Sequence, residues 1–385
     1  MSRTTGSYER STVAGEAVDA FVPMPLPPRD PSLDLSGHLS EQLNAATERL
    51  RLLELAGDLV PSVEWFVYAF VRKEAVLSAQ IEGTQATLMD LFELEAAGTE
   101  PGDPDIEEVC GYIDALQYAW NEFERDEGLP LSIRLLSNAH ARLLSGARGA
   151  GKQPGEIRRS QNWIGGTRPG NAVFVPPPPH RLPELLRDLE RAIHEPADLP
   201  PLIRVGLLHV QFETLHPFLD GNGRLGRLLV TLLLRQWRLL TRPLLYLSLY
   251  LKTHRSEYFD RLTAVRERGD WEGWLAFFLE GVATAADEAV ATARHLYRVV
   301  ESARDRVLAS DDATLLSLRL FEQLPEHPII TVNHAMDLLG CSRPAAGKAV
   351  NVLESAGVLG SLSERKKNRL FVFEDYVEHL RKGTD

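Results

Sequence analysis

From Ser40 to Ala309 apolar residues recur at three- and four-residue spacing, so most of this chain can bury its apolar surface only as packed amphipathic helices. The periodicity predicts helices at roughly 40–57, 62–82, 84–96, 105–124, 132–145, 182–194, 201–214, 223–240, 254–267 and 271–308. The stretch from Gln153 to Pro179 breaks the rule. β-Forming residues flank a Gly/Pro/Asn turn there, ahead of four consecutive prolines, and predict a hairpin on a helical body. Residues 1–30 are rich in Ser, Thr and Gly and then Pro, which predicts an extended arm with little structure of its own. The turn chemistry of Gly98 to Pro104 divides an N-terminal helical segment, 31–98, from a core at 99–309.

Residues 310–385 change character. Ile329-Ile330-Thr331 reads as a short strand and Val332 to Leu339 as a helix closed by Gly340. Ser342 caps a helix running to Ala356, and Val358–Leu362 with Arg369–Phe373 form a hairpin with a basic tip at 363–368. This order resembles the winged helix-turn-helix of DNA-binding regulators. Nine Lys/Arg against eleven Asp/Glu from 311 to 385 give a net −2, so DNA binding through 311–377 is not favoured over protein contact or dimerisation.

A chain of 385 residues with 44% hydrophobic content can bury the cores of two or three domains. Its net charge of −12 argues against a general polyanion-binding surface. Cys110 and Cys341 stand far apart without metal-ligand spacing, which points to a reducing compartment and no zinc site. The N-terminus is polar and apolar stretches such as Leu228 to Leu234, which includes Thr231, are too short to span a bilayer, so a cytoplasmic protein without a membrane span is expected.

The chemistry is concentrated in twelve residues, His216-Pro217-Phe218-Leu219-Asp220-Gly221-Asn222-Gly223-Arg224-Leu225-Gly226-Arg227. Gly221 and Gly223 permit a backbone whose N–H groups converge, and the helix that follows would place phosphate oxygens at its N-terminus. Arg224 and Arg227 are three apart and can reach one phosphate chain, Asp220 suits a hard divalent cation, and His216 can titrate near neutrality as a general base. The run reads as a nucleoside triphosphate site.

The same run matches the Fic (Fic/Doc) family signature, HPF-x-D/E-GNGR-x-x-R, at every specified position, and the chain resembles that family from near Glu64 through Ala309. The resemblance implies a mainly α, Fic-type helical bundle with a β-hairpin flap over the site, here followed by the winged unit. It implies a Mg²⁺-dependent adenylyltransferase that moves AMP from ATP to a Ser, Thr or Tyr hydroxyl of a protein target, itself included, with His216 as base and Asp220 as metal ligand. The nucleotide would meet Gly221, Asn222, Gly223, Arg224, Leu225, Gly226 and Arg227, the flap residues Asn162, Trp163, Ile164 and Gly165, and Tyr258 stacked on adenine. Kinase-like members carry Lys where this chain has Gly223, so AMP transfer is favoured over phosphorylation.

Ser78-Ala79-Gln80-Ile81-Glu82-Gly83 fits the family's inhibitory motif, S/T-x-x-x-E-G/N. The resemblance implies that Glu82, supported by Ser78 and Gly83, takes Arg227 away from the γ-phosphate. A glutamate before a Gly cap faces the negative helix end, where a cationic partner would relieve it. The alternatives are AMP removal at the same site and a nucleotide-sensing DNA-binding regulator; a homodimer is open.

Overall fold

The computed structural model describes residues 3–59, 62–146, 150–362 and 369–385. Strands β1 (Gly6–Val13) and β2 (Glu16–Pro23) precede helices α1 (Gly37–Leu59), α2 (Val63–Ile81), α3 (Leu88–Ala97), α4 (Pro104–Glu124) and α5 (Ile133–Leu143). After a loop-rich stretch come α6 (Leu182–His194), α7 (Pro201–Leu215), α8 (Asn222–Gln236), α9 (Ser248–Thr253), α10 (Arg255–Arg268) and α11 (Trp271–Leu308). The chain continues through α12 (Leu315–Gln323), β3 (Ile329–Ile330), α13 (Val332–Leu339), α14 (Arg343–Ser355), β4 (Gly360–Ser361), β5 (Phe371–Val372) and α15 (Glu374–Leu380).

Local chemistry sets these boundaries. Thr87 and Asp90 form a reciprocal capping box that starts α3, and left-handed Gly98 ends it. Asp103 caps α4, whose first residue is Pro104, where a missing N–H costs nothing. Every residue of α7 from Val205 to Leu215 is buried, so this helix has no solvent face and forms the centre of the body. It packs against α8 and α11, and α11 also runs along α1. Burial of leucines such as Leu207, Leu228 and Leu233 stabilises this arrangement by about 1.5–3 kcal/mol each.

Residues 1–30 are not the unstructured arm that their composition predicts. β1 and β2 pair antiparallel from Gly6↔Pro23 to Val13↔Glu16. Ala14 and Gly15 make the two-residue turn, both at positive φ (50° and 84°), which matches the twist of a hairpin. One face carries the buried Val18, Ala20 and Val22, with Phe21 inside as well. Arg3 anchors the base: it is buried, forms a two-pronged ion pair with Glu272 (2.8 and 3.0 Å) and donates to the carbonyls of Gly269, Pro31 and Ser32. Apolar alternation and a tertiary anchor outweigh the Ser/Pro composition.

The flap is also less regular than predicted. A single bridge, Ile164↔Phe174, stands where two strands are expected. Gly165 and Gly166 at positive φ turn the chain, and Pro169 opens a short 3-10 turn through Asn171, so a longer ladder has neither the conformation nor the donors to form.

In the C-terminal region β3, β5 and β4 form a sheet in that spatial order, with Ile329 and Gly360 both opposite Val372. Helices α12 and α15 flank elements that the sequence pattern locates, while the basic tip at 363–368 lies outside the described residues. This region packs on the body: His379 stacks on His295 (3.8 Å), Gln80 donates to the Thr384 carbonyl (2.8 Å) and Lys252 to that of Gly383 (2.9 Å). Among the described residues no helix is long and apolar enough to cross a membrane.

Arg3→Ala should lower stability by about 1–3 kcal/mol, because it strips hydrogen bonds from buried carbonyls, and should speed amide exchange at Phe21 and Met24, whose N–H groups donate to Val175 O and Thr5 O. Denaturant titration combined with hydrogen exchange reads both; unchanged exchange in the hairpin would mean that Arg3 does not anchor it.

Candidate active site

The site is built at the junction of α7 and α8. His216 ends α7 in the left-handed conformation (φ 47°, ψ 59°), a strained position for a residue with a Cβ. Its neighbours hold it there. The His216 N–H donates to Phe212 O (3.0 Å), and the buried Arg158 donates to His216 O (2.9 Å), Pro177 O (2.6 Å), Ser160 O (3.2 Å) and Leu215 O (3.4 Å). The Arg158 N–H adds a bond to Pro217 O.

The loop between the helices is stapled internally. Asn222 accepts from Phe218 N–H and donates to Phe218 O, both at 2.9 Å, and is buried. The Asn222 side chain, expected at the nucleotide, thus spends its oxygen and one amide hydrogen on the shape of the loop. His140 of α5, fully buried, stacks on Phe218 (3.8 Å). Its Nδ1 accepts from Gly155 N–H (2.9 Å), so Nε2 carries the proton and donates to Asp220 O (2.9 Å). Burial first, and the Arg224 charge after it, push its pKa down to about 4, which keeps this tautomer neutral. Nothing local in the sequence marks either Arg158 or His140.

Gly221 is left-handed (φ 72°) and caps α8, where Leu225 N–H donates to Gly221 O (3.0 Å). The amides of Asn222, Gly223 and Arg224 precede that bond and make the anion-facing end of the helix. Asp220 is half-buried beside it and accepts from Gly221 N–H (2.6 Å). Among the described residues no group of three or more His, Cys, Asp or Glu could hold a metal ion. A lone carboxylate beside a phosphate cradle fits Mg²⁺, which keeps its waters and shares phosphate oxygens instead of demanding a protein cage.

The two arginines go to different helices. Arg227, buried, donates to Ser78 Oγ (2.8 Å), Ser78 O (2.9 Å) and Glu82 Oε1 (2.7 Å). Glu82 is the C-cap of α2, and Gly83 beyond it adopts φ 106°. Burial opposes the Arg227 charge, but Glu82, with Tyr258 and Glu213, outweighs it and raises the pKa above the ordinary range. A Cβ on Gly223 would run into Glu82 Oε1, so the glycine is what admits the carboxylate. Arg224, also buried, places Nη1 2.9 Å from Glu108 Oε2 of α4.

His216 differs from its expectation of titrating near neutrality. Burial, then the charges of Arg266 and Arg158, push its pKa down to about 3, so the imidazole is neutral and able to accept a proton throughout the neutral range.

Three expected nucleotide contacts prove to be packing positions. Leu225 is fully buried and its N–H is used by the helix. Gly226 accepts from His209 Nδ1 (3.0 Å), and a Cβ there would strike Glu213 Oε1. Tyr258 is buried against Trp274, with its hydroxyl donating to His209 Nε2 (2.8 Å), so it has no open face for adenine; the neighbouring Phe259 is the exposed ring. In the flap, Asn162 donates to Phe218 O (3.1 Å), Ile164 makes the bridge to Phe174, and Trp163 is exposed beside Gly165.

Helices α2, α4, α7 and α8 around such a loop define a mainly helical class, and comparison with known proteins narrows it. The Fic/DOC family N-terminal model matches residues 40–121 and the Fic/DOC family model residues 130–234. The chain thus carries a Fic/DOC family N-terminal domain followed by a Fic/DOC family domain. A probable protein adenylyltransferase of Aquifex aeolicus is 26% identical over 176 residues, 45% of this chain and 50% of that protein. The protein adenylyltransferase Fic of Drosophila yakuba is 30% identical over 164 residues, 41% of this chain and 31% of that protein. The matches thus span half or less of these relatives' length. A Fic family protein from Desulfovibrio desulfuricans shares the fold, with a TM-score of 0.57 at 22% identity over 89% of this chain and 97% of the other. A Fic-domain signaling protein from Bacteroides thetaiotaomicron gives 0.52 at 20% identity over 67% and 97%.

Glu213 sits under this site with Oε1 unpartnered, and burial, moderated by Arg227, pushes its pKa up to about 7 from an ordinary 4.5. A carboxyl that holds its proton more tightly when folded favours the native state below pH about 4.5 and loses that contribution as pH rises through 7. Glu213→Gln should therefore flatten the fall in stability between pH 5 and 8 by about 1–3 kcal/mol. Equal slopes in urea titrations of the two proteins would refute this.

Proposed function

We propose that the chain is an autoinhibited, Mg²⁺-dependent protein adenylyltransferase that transfers AMP from ATP to a hydroxyl side chain of a protein. The observation that carries this reading is the assembly of a neutral, half-buried imidazole, a metal-suited carboxylate and the open end of α8 on one loop, with Arg227 caged by Ser78 and Glu82. The Fic/DOC family domain and the adenylyltransferase names of the relatives support it.

In this mechanism the α8 amides receive the α and β phosphates. His216 takes the proton of the acceptor hydroxyl as its oxygen bonds to the α-phosphorus and the bond to pyrophosphate breaks. Asp220 would hold Mg²⁺, which supplies positive charge to the phosphate oxygens. Arg224 and Arg227 supply the rest once they exchange Glu108 and Glu82 for phosphate. With Arg227 held by Glu82, the γ-phosphate lacks its partner and the α-phosphorus sits out of line for attack. The flap at 162–165 receives the acceptor main chain, and residues 310–385 serve as a winged helix-turn-helix unit for protein contact, a role supported by the β3-β5-β4 sheet and the α13–α14 pair.

His216→Ala should cut AMP transfer by about 10²–10⁴-fold while ATP still binds, because the imidazole acts on the hydroxyl and not on phosphate. Incubation with α-labelled ATP and intact-mass analysis read the transfer, and calorimetry the binding. Near-normal transfer would remove histidine from the mechanism.

Glu82→Gly should raise transfer, self-modification included, at least about tenfold, equivalent to about 1.4 kcal/mol of barrier. The gain should vanish in the Arg227→Ala background, where no arginine is left to free. A gain that persists in that background, or a loss of transfer in folded Glu82→Gly protein, would sink the autoinhibitory role of Glu82.

A further inference from the structure

The flap cannot hold its own shape. Its one bridge, Ile164↔Phe174, closes a loop with two left-handed glycines, and an isolated pair of short strands is at best marginal in water. Val173, 75% exposed, and the half-exposed Trp163 show how little core lies under it. An acceptor that must also order such a loop spends binding free energy on doing so.

The N-terminal hairpin supplies the missing support. Phe21 N–H donates to Val175 O (2.9 Å), so β2 is flanked by β1 on one edge and by flap residues 172–175 on the other. The Phe21 ring meets Phe174 at 6.2 Å. Glu16, at the hairpin turn, accepts from Arg168 Nη1 (2.7 Å) and from Gly170 N–H (3.0 Å), and so grips the tip of the flap. His180 lies 2.9 Å from Glu9 at the far end. The hairpin is itself moored to the body through Arg3 to Glu272, Thr5 to Arg266 O and Gln211 to Met24 O. None of these contacts involves His216, Asp220, Arg224 or Arg227.

We propose that the N-terminal hairpin is the fixed strut of the flap, with Glu16 as a positioning residue that preorganises residues 164–174 for an extended polypeptide acceptor. The strut sets acceptor affinity and leaves nucleotide affinity untouched, since its contacts with the flap include no residue of the His216–Arg227 loop. This inference rests on the proposed transfer to a protein hydroxyl.

The test uses the full chain carrying Glu82→Gly, α-labelled ATP and a library of synthetic Ser-, Thr- and Tyr-containing peptides. Glu16→Ala should speed amide exchange at Ile164 and Phe174 and raise the KM for peptide by about two- to fivefold, the scale of a partly exposed ion pair. ATP affinity should stay unchanged. Glu16→Gln, which keeps an acceptor for Gly170 N–H, should fall between Glu16→Ala and the parent. Unchanged exchange at Ile164 and Phe174 in folded Glu16→Ala would overturn the strut, as would an ATP affinity that falls in step with peptide transfer. If the parent itself transfers nothing to peptide, the proposed function fails, and the exchange measurement alone decides the strut.

Discussion

One buried guanidinium holds the active-site loop to the rest of the molecule. Among the described residues Arg158 has no carboxylate partner, and burial pushes its pKa down to about 10. It is kept by carbonyls from two separate segments: Leu215 and His216 at the end of α7, Ser160 and Pro177 at the two roots of the flap. Those bonds hold His216 in a left-handed conformation that a histidine adopts only under constraint. They also fix where the flap begins and ends. The position of the imidazole and the position of the surface above it are thus set by the same side chain.

Around that point the charge is closely matched. Arg227 meets Ser78 and Glu82, and Arg224 meets Glu108, so helices α2 and α4 each bring an acid to the cationic first turn of α8. A cluster of buried positive charge would be unstable by itself, and one partner removed leaves the other uncompensated. The acids lower that cost. Gly223 shows how close the fit is, since any side chain there would displace Glu82.

Much of this was legible in the sequence, for identifiable reasons. The helices follow from periodicity, and His216, Asp220, Gly221 and Arg227 from a contiguous run whose chemistry is local. A glutamate at a helix C-terminus calls for a cation, and the resemblance of Ser78–Gly83 to the family's inhibitory motif names Arg227 as that cation. What escaped depends on burial and distant partners. Leu225, Gly226 and Tyr258 look like ligand contacts until α7, α10 and α11 close over them. Arg158 and His140 carry no motif; their roles exist only once the flap and α5 are folded against the loop. The hairpin was masked by Ser and Pro, although Ala17 to Val22 supplies its apolar face and Ala14-Gly15 its turn.

The Ser78–Glu82 turn and Arg227 are 145 to 149 residues apart in the chain, and that order has a temporal meaning. A ribosome makes α2 long before α8, and N-terminal segments fold first as a chain emerges. When Arg227 leaves the exit tunnel its acidic partner is already present. Arg227 can therefore close on a partner made well before it, and the pair ties together two stretches of chain that the ribosome delivers at different times.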